Sequence, residues 1–217
     1  MVEWYKIISS EVTPKHTVHR VMVGGREETI LYASVRAGVS FPGEECPGAL
    51  IVIAQETDDK FESSSPRLFL LDELEFGGLS VDRFWDAVTD ALVLHHAAPL
   101  YLDIKDEVNL AALQDFCSRR DLNIDWQEAP FADNFFTGLA TANDWLAQGR
   151  LELDKASRVR AQLKDVRQED LRDKPAQRFP LVNAMRHVLS GFRKFPPAKP
   201  LELGRSMKHY GKGGWMA

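Results

Sequence analysis

The sequence predicts an α/β domain: a mixed sheet flanked by helices, with a strand pair ahead of it and an extended basic tail behind. Two observations carry this. Three apolar or alternating runs follow one another between Ile30 and Phe76 at hairpin-length spacing, which makes them antiparallel neighbours. From Ser80 onward, helical spacing of apolar residues alternates with short apolar runs, so the later strands are joined through helices and run parallel.

Tyr5–Val12 and Thr17–Val23 alternate and are rich in β-branched residues, and Gly24-Gly25 gives a turn signal after them. They form the expected strand pair of an extension over residues 1–28. The core begins at Thr29. Ile30–Val35 is its first strand, closed by Gly38 and the Phe41-Pro42-Gly43 turn. Ala49–Gln55 is the most apolar run, and its continuity indicates burial on both faces, as in a central strand. Glu56–Pro66 reads as a hairpin loop, and Arg67–Phe76 as the third strand, ended by Gly77-Gly78.

The period then changes. Ser80 is an N-cap, and Val81, Phe84, Trp85, Val88 and Leu92 fall on one helical face. Pro99–Ile104 is a fourth strand. Val108, Leu110, Leu113, Phe116 and Cys117 mark a second helix, and Asn123–Ala129 a fifth strand. Asn134–Gln148 is a third helix, ended by Gly149. Leu151–Asp154 is a short edge strand. Ala156–Leu171 and Leu181–Phe195 are helical, parted by Pro175 and Pro180. Pro196, Pro197 and Pro200 stop the last helix, so the core domain spans 29–195 and the tail 196–217.

A chain of 217 residues with 44% hydrophobic and 27% charged residues is globular and buries a full core without staples. Cys46 and Cys117 lie far apart in no metal-ligand spacing, which fits free thiols in a reducing compartment. The N-terminus lacks an apolar signal core, and no window approaches the ~20 apolar residues of a membrane span. A cytoplasmic protein, in a host cell, is expected. From Arg186 to Ala217 seven Lys or Arg stand against Glu202, a net of +6, which leaves −11 on residues 1–185 of a chain with net charge −5. An acidic body does not favour wholesale wrapping by nucleic acid. There is no P-loop, so no ATP site is expected; no G-x-S-x-G elbow and no H-E-x-x-H helix is present. His95-His96 points two rings apart, and the end of a helix is its simpler role.

Several segments resemble the ribonuclease-H-like nuclease domain of bacteriophage terminase large subunits over about residues 29–195. Ile30–Gly38 (ILYASVRAG) sits where that family has its first strand followed by an acid and a glycine. Arg67–Phe76 is similar to its third strand, and Pro99–Glu107 (PLYLDIKDE) to its fourth strand with an aspartate. Asn143–Asp154 (NDWLAQGRLELD) resembles the helix and strand before the closing helices. Phe179–Phe192 (FPLVNAMRHVLSGF) resembles the last helix, which the family writes roughly H-x-x-D-A-x-R-Y-A. The resemblance implies a ribonuclease-H-like sheet, DNA or packaging proteins as partners, and two divalent ions, Mg²⁺ or Mn²⁺, held by acids from the first strand, the fourth strand and the last helix.

On that pattern Asp103 is kept, while Arg36 and Asn183 stand where acids are expected. An arginine repels a dication and an amide adds no charge, so a degenerate site follows. Asp72, Glu73 and Glu75 on the third strand, with Asp106 and Glu107 beyond the fourth, are the acids that could rebuild it. Glu73 is the first choice to join Asp103 on a metal. His187, four residues after Asn183, shares its helical face. Three functions remain open: a phage packaging nuclease-like domain with weakened or lost cleavage and a binding role; an active Mg²⁺- or Mn²⁺-dependent endonuclease using Asp103; and a structural or interaction protein sharing only the fold.

The tail mixes basic and aromatic residues, among them Arg205, Lys208, Lys212 and Trp215, a mixture suited to nucleic-acid contact or to folding onto a partner protein. Partner docking is the expected outcome: removal of residues 196–217 leaves the salt dependence of DNA binding in a gel shift unchanged. A shallower salt slope assigns the tail to DNA instead.

Overall fold

The computed structural model describes residues 5–12, 17–23, 25–43, 47–56, 66–77, 80–103, 105–129, 135–154, 156–166 and 178–192. They form, in order, β1 (Tyr5–Val12), β2 (Thr17–Val23), β3 (Arg26–Ser40), β4 (Gly48–Glu56), β5 (Leu68–Phe76), α1 (Val81–His95), β6 (Leu100–Leu102), α2 (Glu107–Arg120), β7 (Trp126–Glu128), α3 (Phe135–Ala147), β8 (Leu151–Glu152), α4 (Arg158–Asp165) and α5 (Pro180–Ser190).

Strands β1 to β5 are successive antiparallel neighbours, and β8 joins β5 in parallel. On the other side β6 pairs parallel with β3, and β7 parallel with β6. This is the expected mixed sheet, with helices on both faces. Alternation along β4 divides its side chains between two cores. Leu50, Val52 and Ala54 pack with Phe84, Trp85 and Val88 of α1 and Leu113 and Phe116 of α2. Ala49, Ile51 and Ile53 pack with Ala142 and Trp145 of α3, Val159 of α4 and the apolar face of α5. Phe84 and Trp85 pack edge-to-face, their ring centroids 5.0 Å apart. The Ser80 hydroxyl caps α1 by accepting from the Arg83 amide.

The first core strand differs most from its expected form. It does not close at Gly38 but runs on to Ser40, with Gly38 paired to Ile51 on one side and Tyr101 on the other. The glycine serves close approach, not a turn: a Cβ there would fall on the Ala184 carbonyl and the Val188 nitrogen of α5. The strand also starts earlier, so the division between residues 28 and 29 falls inside β3. β2 pairs with Arg26–Tyr32, whereas β4 pairs with Tyr32–Ser40. The N-terminal pair is therefore continuous with the sheet. With the first half of β3 it forms a three-stranded ribbon beyond the reach of β4.

Elsewhere the boundaries contract. The fourth and fifth strands keep only Leu100–Leu102 and Trp126–Glu128 in pairing. The helix expected over Ala156–Leu171 is described as Arg158–Asp165, and that expected over Leu181–Phe195 as Pro180–Ser190. Cys46, Pro175, residues 57–65 and the tail with Arg205, Lys208, Lys212 and Trp215 lie outside the described residues. No helix among the described residues is long and apolar enough to cross a membrane.

Gly38→Ala forces α5 off the sheet. Overpacking of this kind costs about 2–3 kcal/mol, which in a chain of this size lowers Tm by roughly 4–10 °C in a thermal melt.

Candidate functional site

Because β3 and β6 run parallel, their C-terminal ends meet at one end of the sheet, where α5 and the start of α2 also arrive. There Ser40, Phe41, Pro42, Gly43 and Pro47 line a cavity of about 300 Å³ with Asp103, Asp106, Asn109, Asn183 and His187. The carboxyl ends of strands are a usual ligand-binding position in open α/β sheets.

The polar groups are mutually engaged. The Asn183 side-chain nitrogen donates to the Ser40 hydroxyl at 3.0 Å. The Arg186 guanidinium donates to the Asn183 amide oxygen. A guanidinium only donates, so this contact fixes the amide's orientation. Asp103 accepts from the Lys105 amide at 3.0 Å. Both Asp106 oxygens are taken by Asn109, one by its backbone amide at 3.1 Å and one by its side-chain nitrogen at 2.8 Å. The His187 ring meets the Val39 carbonyl at 2.6 Å through Nδ1. That carbonyl can only accept, so Nδ1 carries the proton and Nε2 is left with a lone pair.

Arg186 is almost wholly buried and lies 4.5 Å from the Phe135 ring centroid. A Cβ on Gly138 of α3 would collide with it. Burial pulls its pKa down to about 10, partly offset by the Asp103 carboxylate, so it remains a cation at neutral pH. Burial likewise lowers His187 to about 4, the Val39 carbonyl opposing and the Arg186 charge assisting.

Among solved structures, the large terminase nuclease domain from bacteriophage SPP1, with bound Mn, is similar over 74% of this chain and 87% of that one, at 16% identity and a TM-score of 0.50. The large terminase nuclease from thermophilic phage G20c is similar over 77% of this chain and 91% of that one, at 10% identity and a TM-score of 0.54. The fold is ribonuclease-H-like. No protein-family model and no curated protein matches the chain.

Within this ribonuclease-H-like frame the structure brings Asp103 and Asn183 together and does not bring Arg36 or Glu73 to them. Arg36 shares a face of β3 with Gly38 and Ser40 but lies four residues below Ser40, about 13 Å along the strand. Its guanidinium donates to the Gly191 carbonyl and lies 4.9 Å from the Phe192 ring centroid. The β3 residue facing Asn183 is Ser40, and the cation beside the cavity is Arg186. Glu73 sits on β5, three strands from β6, about 14 Å away at ordinary strand spacing. Its carboxylate holds the start of α4, accepting from the Arg158 amide at 2.6 Å, the Ser157 hydroxyl at 2.8 Å and the Val159 amide at 2.9 Å. Asp72 lies 3.1 Å from His95 Nε2, and Glu75 faces Gln162. These acids serve the packing of helices.

The donors present do not fit a pair of dications. Asp103 and Asp106 are the carboxylates of the cavity, and three of their oxygens already accept hydrogen bonds. The amide oxygen of Asn183 is held by a cation. Among the described residues no three His, Cys, Asp or Glu side chains are grouped to hold a metal ion. Sequence reasoning missed Arg186 and Ser40. The signals were there: Arg186 falls three residues after Asn183 on the same helical face, and Ser40 precedes the Phe41-Pro42 turn.

His187 gives a pH signature. Its folded pKa of about 4 lies below the ordinary 6.5, so the unfolded chain binds the extra proton between those values. Its contribution is complete above pH 6.5 and is lost as pH falls toward 4. Urea melts at about pH 7.5 and pH 4.5 are expected to differ by about 2–3 kcal/mol more in the wild type than in His187→Gln. Separately, Glu73→Ala unfastens α4 and costs about 1–3 kcal/mol, read as a lower Tm.

Proposed function

We propose that this chain is a nuclease-type domain of the phage DNA-packaging class whose cleavage is weakened or lost. Its remaining work is binding, to DNA or to the proteins that package it. The observation that carries the reading is the hydrogen bond from Arg186 to the Asn183 amide oxygen. The departure from the family pattern is Asn183, an uncharged amide where the resemblance expects an acid for a metal ion, and its oxygen already accepts from a cation. The similarity to two terminase nucleases supports DNA as a partner class. The acidic body argues for contact through a restricted surface.

Purified protein is expected to leave supercoiled plasmid intact in Mn²⁺ and to show no rise in Tm on adding Mn²⁺ or Mg²⁺. The alternative, an active metal-dependent endonuclease, draws on Asp103, Asp106 and His187 sharing one cavity. Plasmid cleavage by the wild type that disappears in Asp103→Ala decides for that alternative.

A further inference from the structure

We propose that β1 is a self-complementary edge through which two copies of this chain pair, antiparallel, into one continuous sheet. β1 ends the strand order, and among the described residues no strand pairs with its outer edge. An eight-residue open edge is a template for strand addition. The question is what the edge selects.

The register within the chain supplies the answer. Tyr5, Ile7, Ser10 and Val12 are opposite Val23, Val21, His19 and Thr17, one face of the ribbon. Lys6, Ser9 and Glu11 are opposite Met22, Arg20 and Val18, the other face. Ile8 has no opposite residue and forms a bulge; it is 48% exposed. In a regular strand positions 5 and 12 lie on opposite faces. The inserted residue brings them to the same face. The face pattern of β1 consequently reads the same in both directions about the midpoint between Ile8 and Ser9.

Antiparallel partners must share a face, and a two-fold interface sets each residue against its counterpart in the other copy. About that midpoint Tyr5 is opposite Val12, Lys6 opposite Glu11, and Ile7 opposite Ser10. This register sets the position of the strand's one lysine opposite that of its one glutamate, twice by symmetry. Sliding the register by one residue breaks both the face match and the charge match. The bulge, which on most edges discourages pairing, here admits one partner: the same strand.

The test uses the full chain in sedimentation or light scattering. The wild type is expected to dimerise, and Lys6→Glu or Glu11→Lys alone to raise the dimer Kd about 10- to 30-fold by setting like charges opposite each other. The double exchange Lys6→Glu/Glu11→Lys restores the dimer. An equimolar mixture of the two single variants forms a mixed dimer, because it pairs opposite charges at both positions. A wild type that stays monomeric to about 100 μM, a dimer indifferent to the single changes, or a mixture that stays apart overturns the proposal. Circular dichroism of each variant confirms that the changes leave the fold in place.

Discussion

The seating of α5 on β3 is the constraint on which the rest of the molecule depends. Three polar contacts fasten the helix along the strand: Asn183 to Ser40 at the upper end, His187 to the Val39 carbonyl in the middle, and Arg36 to the Gly191 carbonyl at the lower end. Between them Gly38 removes the one side chain that would hold the two backbones apart. Ten of the eleven residues of α5 are buried, polar ones included. Burial of that kind is tolerable only when the polar groups find partners, and the strand and the helix's own neighbours supply them. The close seating is what delivers Asn183 and His187 to the ends of β3 and β6.

The same seating sets the electrostatics. Arg186 is on α5 and is roofed by Phe135 and Gly138 of α3, so its charge cannot leave the interior without unpacking two helices. A buried cation needs compensation, and the Asn183 oxygen and the nearby Asp103 carboxylate contribute to it. The Asp103 carboxylate thereby helps to balance the guanidinium. His187 stays neutral for a related reason: protonation would put a second positive charge beside the first in a dry place. The cavity thus joins two carboxylates, Asp103 and Asp106, to an amide and a neutral imidazole, with a buried cation beside it.

Much of the fold was legible in the sequence because hydrophobic period and turn residues report it directly. The apolar run at Ala49–Gln55 is the central β4, and Ser80 begins α1 as its capping chemistry dictates. Gly38 was misread because a glycine between apolar residues marks either a turn or a close approach, and only the partner helix decides which. The site was half legible. Asp103 and Asn183 could be placed because each ends or begins an element whose order is fixed by topology. Arg36 was placed one segment too high because the strand's true end, Ser40, lay beyond the misread glycine. Glu73 looked available because its three hydrogen-bond partners come from residues 157–159, more than eighty positions away. No local pattern carries that information.

β3 ties these features together by its length. Fifteen residues of extended chain span about 50 Å. Its upper half is the inner strand of the core, flanked by β4 and β6, and ends at the cavity. Its lower half is flanked by β2 alone and carries the ribbon that ends in β1. One strand thus supports two surfaces at opposite ends, with the packed core between them. Contacts made at the β1 edge leave Ser40, Asp103 and Asn183 uncovered, and a ligand at the cavity leaves β1 open. Stiffness of the shared strand fixes the distance between the two, so two copies joined at β1 would hold their cavities at a set separation, at the outer ends of a common sheet.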